Sequence, residues 1–256
     1  VDFAVLECAR GGILKSGLAF QNCEVAVVTN VAADHMGLGG IHTLEAMAKV
    51  KAVVPETVFP HGYAVLNADD DLVYKMKKDL KCNIGLFSMD ENNPRIKAHC
   101  AENGLACVYE NGYVTIMKGN WKIRVLPARD IPLTYEAKAV HNINNCLPAV
   151  LSAYLFRDIT IDDIRTGLQT FIPSESLTPG RLNFFHFKHF TMLADFAHNP
   201  HGLKLLCDFI SKLDYSTRIG VISGTGDRRD EDIRELGEIS AKHFDEIIIR
   251  CDKNLR

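Results

Sequence analysis

No stretch of this sequence approaches the roughly 20 apolar residues that a helix needs to cross a bilayer, and no signal segment opens it. Excess positive charge is also missing. Twenty-nine Lys and Arg stand against 32 Asp and Glu, a net charge of -3, which argues against a general nucleic-acid binder. The eight cysteines (Cys8, Cys23, Cys82, Cys100, Cys107, Cys146, Cys207 and Cys251) include no C-x-x-C pair, so zinc or iron–sulfur ligation has no support. Several sit in apolar runs, as Cys207 does, and read as small core residues kept reduced in a cytoplasmic protein. There is no G-x-G-x-x-G fingerprint, so a nucleotide-binding oxidoreductase lacks its signature, and no Walker A loop to cradle phosphates. Internal repeats and low-complexity tracts are absent too.

What is there is ordinary for a globular chain: 256 residues, 47% hydrophobic and 24% charged, enough for one large or two moderate domains. The chain opens without an initiator Met inside the apolar run Asp2–Leu6 and ends just after another, so both edges are expected to be cuts through a longer protein. Over the first ninety residues strand and helix patterns alternate. Asp2–Leu6, Glu24–Thr29 and Gly62–Leu66 read as buried parallel strands, with helices over Thr43–Val58 and Asp70–Leu80. This is the α/β alternation of a doubly wound sheet. Between 84 and 134, runs beginning at Ile84, Ala106, Tyr113 and Trp121 are parted by turn residues and suggest antiparallel hairpins appended to that sheet. Helices return over Asn142–Phe156 and Ile161–Thr170, the second with Thr160 as its N-cap. The Pro-, Ser- and Gly-rich stretch Ile172–Gly180 is the best linker, and beyond it a second β/α series reads as an incomplete Rossmann-like domain.

Five stations carry polar chemistry. In Val27–His35 an apolar strand ends and Asn30, Asp34 and His35 follow, where open α/β sheets bind ligands. Glu7 would come from the end of a neighbouring strand, and acid and imidazole together could hold Mg²⁺, although His is an unusual ligand for it. Lys49 and Lys51 lie on a run whose own residues read first as an amphipathic helix with solvated lysines. Asn142 and Asn145, three apart, project from one face of a first helical turn; they suit a nucleobase or sugar, or serve as caps. Arg181 closes the linker, Asp195, His198 and Asn199 follow a strand, and small residues after another strand lead to Arg228 at a helix entrance that would favour anions.

In this order the stations resemble the Mur ligase superfamily. The resemblance rests on Glu7-Cys-Ala-Arg-Gly-Gly-Ile-Leu14, Val28–Leu38, Ile41–Glu45 with Ala48-Lys-Val-Lys51, Tyr63–Asp70 and Gly226–Arg234, and spans essentially the whole chain. It implies a central ATPase domain over 1–180, a mostly parallel sheet with an antiparallel hairpin subregion, and a partial Rossmann-like C-terminal domain over 181–256. It also implies ATP and Mg²⁺: Glu7, His35 and Lys51 at the metal, Lys51 (or Lys49) as a carbamate, and Lys51, His35 and Arg181 in catalysis. Asn30, Asn142, Asn145, Arg181 and Asp195 would hold the nucleotide; His198, Asn199 and Arg228 would meet the substrate. Phe196 stands where the superfamily usually has Tyr. The activity implied is ADP-forming amide ligation through an acyl phosphate, in the branch that joins arginine to aspartate side chains of a polyaspartate polymer, as a homo-oligomer. Peptidoglycan-precursor or folylpolyglutamate ligation, and a non-catalytic relative, stay open beside it. Because the phosphate-binding loop lies outside the 256 residues, the piece alone is expected to be inactive.

Overall fold

Strand pairing sorts the apolar runs. The computed structural model describes residues 3–33, 38–223 and 229–250. Within it Phe3–Cys8 forms no strand, contrary to the reading of Asp2–Leu6: Val5 is 99% and Leu6 61% exposed. An apolar composition favours a strand only where a ladder partner exists, and no described strand pairs with this run. The chain instead enters helix α1 (Arg10–Ser16).

Strand β1 (Cys23–Val28) is followed by α2 (Leu44–Glu56), which Thr43 caps by accepting the Ala46 N–H at 3.1 Å. Pro55 lies in its last turn without ending it. Next come β2 (Val58–Asn67), α3 (Asp71–Met76), β3 (Asn83–Ser88), α4 (Pro94–Ala101) and β4 (Leu105–Glu110). β1 to β4 pair in parallel in chain order. The hairpin reading of 84–134 therefore holds only in part, since β3 and β4 belong to the parallel sheet. Their crossover is α4, which Asn93 caps and Pro94 opens, burying Ile96 and Cys100. Only β5 (Tyr113–Lys118) and β6 (Trp121–Pro127) run antiparallel, completing six strands.

The two faces of the sheet follow from the two-residue period of a strand. Ala64, Leu66, Leu86, Ala106 and Val108 face α2, α3 and α4. Val65, Phe87, Leu105 and Cys107 face the other side and pack on α5 (Val140–Tyr154) and α6 (Ile161–Thr170). Thr160 and Asp163 close a capping box on α6, as its sequence indicates. All seven described cysteines are free, and burial pushes the Cys146 thiol up to about 11, the behaviour of inert core residues.

Beyond the linker, β7 (Asn183–His186) and β8 (Thr191–Ala194) form an antiparallel hairpin. Then come α7 (Pro200–Ile210), β9 (Ile219–Ile222), α8 (Asp230–His243) and β10 (Glu246–Ile249), with β9 and β10 parallel. The two parts meet at the segment before α5. There Tyr135, Glu136 and Ala137 are successive non-glycine residues at φ 51, 59 and 64°, each left-handed at roughly 1–2 kcal/mol. Backbone and Thr134 hydroxyl bonds hold this turn, the Tyr135 hydroxyl donates to Leu182 O at 2.6 Å, and its ring packs with Phe184 and Phe209.

One buried charge braces the antiparallel strands. Glu110, 1% exposed, accepts from Lys122, from Arg124 at 3.3 Å and from Thr115 at 3.2 Å. Burial pushes its carboxyl up, but the Lys122, Arg124 and Thr115 hydrogen bonds outweigh this and hold it below the ordinary glutamate range. Removing both cations (Lys122→Ala with Arg124→Ala) strands a buried carboxylate and should cost about 3–5 kcal/mol in urea unfolding. Glu110→Gln should cost less, because the cations left behind are half exposed. The network stabilises fully above the unfolded glutamate value and weakens as pH falls through the lowered folded value, so Glu110→Gln should flatten that acid limb.

Candidate functional site

The carboxyl ends of β1, β2 and β3 lie side by side, and side chains from the β2 end fix the chain leaving β1. Asn67 donates from Nδ2 to Thr29 O at 2.7 Å, and Asp70 Oδ2 accepts the Val31 N–H at 2.7 Å. The other Asp70 oxygen caps α3 through Leu72 and Val73 at 2.9 and 3.0 Å. Asp69 performs the same service for the next strand, accepting from Ser88 Oγ at 2.6 Å and the Met89 N–H at 2.8 Å. These three residues stood inside the quoted Tyr63–Asp70 run without a role assigned to them. The signal was available: Asn and Asp immediately after an apolar strand are strong formers of turns and caps.

Onto this fixed loop α2 extends Lys51, whose ammonium donates to Asn30 O at 2.7 Å. Sequence and structure agree in bringing Lys51 and Asn30 together. Lys49 is exposed and has no hydrogen bond or ion pair among the described residues, as expected two positions away on a helix. His35, with Asp34, lies outside the described residues, as does Arg228. Glu7 is exposed and carries no hydrogen bond or ion pair among the described residues. As an ammonium Lys51 has donors and no lone pair, so it cannot ligate a metal in that form, whereas a carbamate would offer oxygens. No three His, Cys, Asp or Glu residues gather into a metal-holding group among the described residues. The described side chains do not by themselves build an Mg²⁺ cage.

Helix α5 runs against the strands, its last turn lying with the amino ends of β1–β4 and its first turn toward their carboxyl ends. Because α5 begins at Val140, Asn142 lies in its first turn and Asn145 in its second, and the two amides, expected together on a first turn, divide their work. Asn142 donates to Leu133 O at 2.8 Å and ties down the preceding turn. Exposed Asn145 has no protein partner among the described residues and opens on an apolar cavity of about 240 Å³, lined by Ile131, Leu133, Cys146, Leu168 and Phe171 among others. Between them Asn144 keeps a buried Oδ1 without a donor.

The second part of the chain reaches the same region. Asp195 accepts the Leu182 N–H at 2.9 Å and the Ala197 N–H at 2.8 Å, so each of its oxygens already holds backbone. It faces His141, whose imidazole burial pushes down and whose charged form Asp195 favours in return. Arg181 is exposed, its guanidinium 5.3 Å from the Phe196 ring centroid and free of any carboxylate among the described residues. The ring at position 196 thus gives Arg181 a platform without the usual Tyr hydroxyl. His198 bonds Phe196 O at 3.0 Å, and Asn199 caps α7 through the Gly202 N–H at 2.7 Å. Asn142, Asp195 and Asn199 are therefore committed to backbone, while Asn145 and Arg181 present open polar groups.

The model of the Mur ligase middle domain matches residues 1–153. A cyanophycin synthetase of Geminocystis herdmanii is 52% identical over 256 residues, and one of Synechocystis sp. 50%; each alignment covers 100% of this chain and 29% of the relative. The chain thus spans 29% of the length of these relatives. Among solved structures, E. coli FolC in complex with ADP superposes with a TM-score of 0.64 at 17% identity, covering 92% of this chain and 49% of that one. That likeness shows the fold: an α/β sheet, mostly parallel, with antiparallel strands added.

The clamp at the end of β1 is testable without any ligand. Asp70→Ala removes a helix cap and the Val31 anchor together, and should cost about 1–2 kcal/mol in chemical unfolding. Amide exchange at Val31 should accelerate by more than at core strand amides such as that of Leu86, which follow only the global loss of stability.

Proposed function

Since this chain belongs to the Mur ligase family through its middle domain, we propose that it is the part of an ATP-dependent amide ligase that holds nucleotide and acyl acceptor, attaching arginine to aspartate side chains of a polyaspartate polymer. The match of the whole chain to 29% of the length of two cyanophycin synthetases, at 50–52% identity, carries this reading. In its first step an aspartate side-chain oxygen attacks the γ-phosphorus of ATP, the bond to the bridging oxygen breaks, and ADP leaves an acyl phosphate. The arginine amine then attacks the carbonyl carbon, loses a proton, and inorganic phosphate departs with the C–O bond electrons. The protein's share in such chemistry is positioning and charge neutralisation.

Within the reading, adenine lies on the apolar cavity below Asn145, and Arg181 reaches the phosphates from its place on Phe196. Asn30, Asn142 and Asp195 shape the nucleotide site, the last two by holding the loops around it. His198, Asn199 and Arg228 belong to the substrate side. Mg²⁺ would neutralise phosphate charge, with Glu7, His35 and a carbamylated Lys51 as its protein ligands. The nearness of Lys51 to the end of β1, where Lys49 does not reach, supports that choice of lysine. A division at 180/181 into a central and a C-terminal domain, a homo-oligomer and a cytoplasmic setting complete the proposal.

The test is release of ADP and incorporation of labelled arginine into an aspartate–arginine primer. It is run on the 256-residue chain and on a polypeptide that also carries a Gly-x-x-x-x-Gly-Lys loop. Turnover is expected only with the loop present. There Lys51→Ala should lower kcat about a hundredfold or more, Lys49→Ala should leave it within about twofold, and Asn145→Ala should raise the KM for ATP several-fold with kcat little changed. Equal losses at Lys49 and Lys51, or activity with glutamate in place of arginine, would sink the reading.

A further inference from the structure

A second cavity among the described residues lies at the opposite end of the sheet. Open α/β sheets bind their ligands beyond the carboxyl ends of the strands, yet this trough of about 840 Å³ follows the amino ends. It runs from Glu24 on β1 past His61 on β2 and the starts of β3 and β4 to Lys118 and Trp121 on the β5–β6 turn. Phe156 and Arg157, just past α5, form its other wall. The floor is tightly packed. A Cβ at Gly62 would stand 2.3 Å from Glu24 O, and one at Gly104 2.4 Å from the His99 ring.

Shape and charge each narrow the occupant. Crossing six strands at about 4.8 Å spacing makes the trough roughly 24 Å long, and its volume then corresponds to a single extended chain of about five to seven residues. A compact anion would leave most of it empty. Its one carboxylate, Glu24, is paired with His61 Nε2 at 3.2 Å. The His99 imidazole bonds Leu105 O at 3.2 Å, and burial, the main influence, lowers its proton affinity, which favours the neutral ring. Lys118 and Arg157 have no hydrogen-bond or ion-pair partner among the described residues, and their charges are left for a ligand. Trp121, 42% exposed, adds an aromatic face against which a peptide backbone can lie, and Phe156, packed edge-to-face with Phe3 at 5.0 Å, adds apolar wall.

We propose that this trough is a second binding site, separate from the nucleotide-facing end, for an extended acidic polypeptide segment. Binding is read without turnover, so the inference stands or falls apart from the ligase reading. Trp121 is the only tryptophan of the chain and reports on the trough directly. Titrating the protein with a deca-aspartate peptide at low ionic strength should give a saturable change in tryptophan emission, weakened by added salt. Lys118→Glu with Arg157→Glu, with circular dichroism and thermal midpoint confirming the fold, should weaken binding at least about tenfold. If that pair does not fold, Lys118→Gln and Arg157→Gln singly should each weaken it about threefold. A fluorescein-labelled peptide followed by anisotropy should bind Trp121→Phe and the parent alike within a few-fold. Deca-lysine and ATP should give no saturable emission change. No response to deca-aspartate, an equal response to deca-lysine, competition by ATP, or undiminished binding in the charge variants would each overturn the proposal.

Discussion

The parallel register of β1 against β2, locked at its carboxyl end, is the constraint on which the rest depends. Asn67 and Asp70 hold the backbone at Thr29 and Val31, so the carbonyl of Asn30 between them has a fixed direction. Lys51 can then meet it from α2 with a single hydrogen bond. A loop leaving a strand usually carries the mobility of the surface; here two side chains from the neighbouring strand end remove it. Helix α5 covers the other face through Cys146, Leu147, Val150 and Leu151, fixing where its asparagines stand relative to that loop.

Much of this architecture was legible in the residues. The apolar runs at Glu24–Thr29, Gly62–Leu66 and Glu246–Ile249 coincide with strands, and Thr160 caps its helix as expected. Other features depend on information that no local pattern contains. Asp2–Leu6 has strand composition, but composition does not report whether a ladder partner is present. Helix α4 was hidden because Asn93-Pro94 reads as a turn when it is a cap and first helical residue. The site shows the same limit. Polar types at strand ends named the candidates, but Asn142, Asp195 and Asn199 are occupied with backbone groups. A motif specifies which side chains are present, and only the fold decides which are already spoken for.

The sheet thus has two ends of different character. Its carboxyl end is rich in short polar side chains that bond backbone, leaving a few open groups. Its amino end is a long trough with two unengaged cations and aromatic walls. Helix α5 touches both, at Asn145 and at Phe156 just beyond its last turn, separated by about 16 Å of helical rise. Whatever occupies either end bears on the same rod.

The left-handed turn at Tyr135–Ala137 inverts the usual rules of replacement at the joint between the two parts. At most positions a change to glycine loosens the backbone; at 136 and 137, as at the isolated left-handed residues Asn103, Asn111 and Leu182, it relieves steric strain, and valine or isoleucine there would deepen it. Tyr135 is exempt, because its ring and hydroxyl are what fasten the joint to Leu182 and Phe209. Three adjacent positions therefore tolerate opposite substitutions, and a residue-by-residue survey of variants would locate the joint without reference to coordinates.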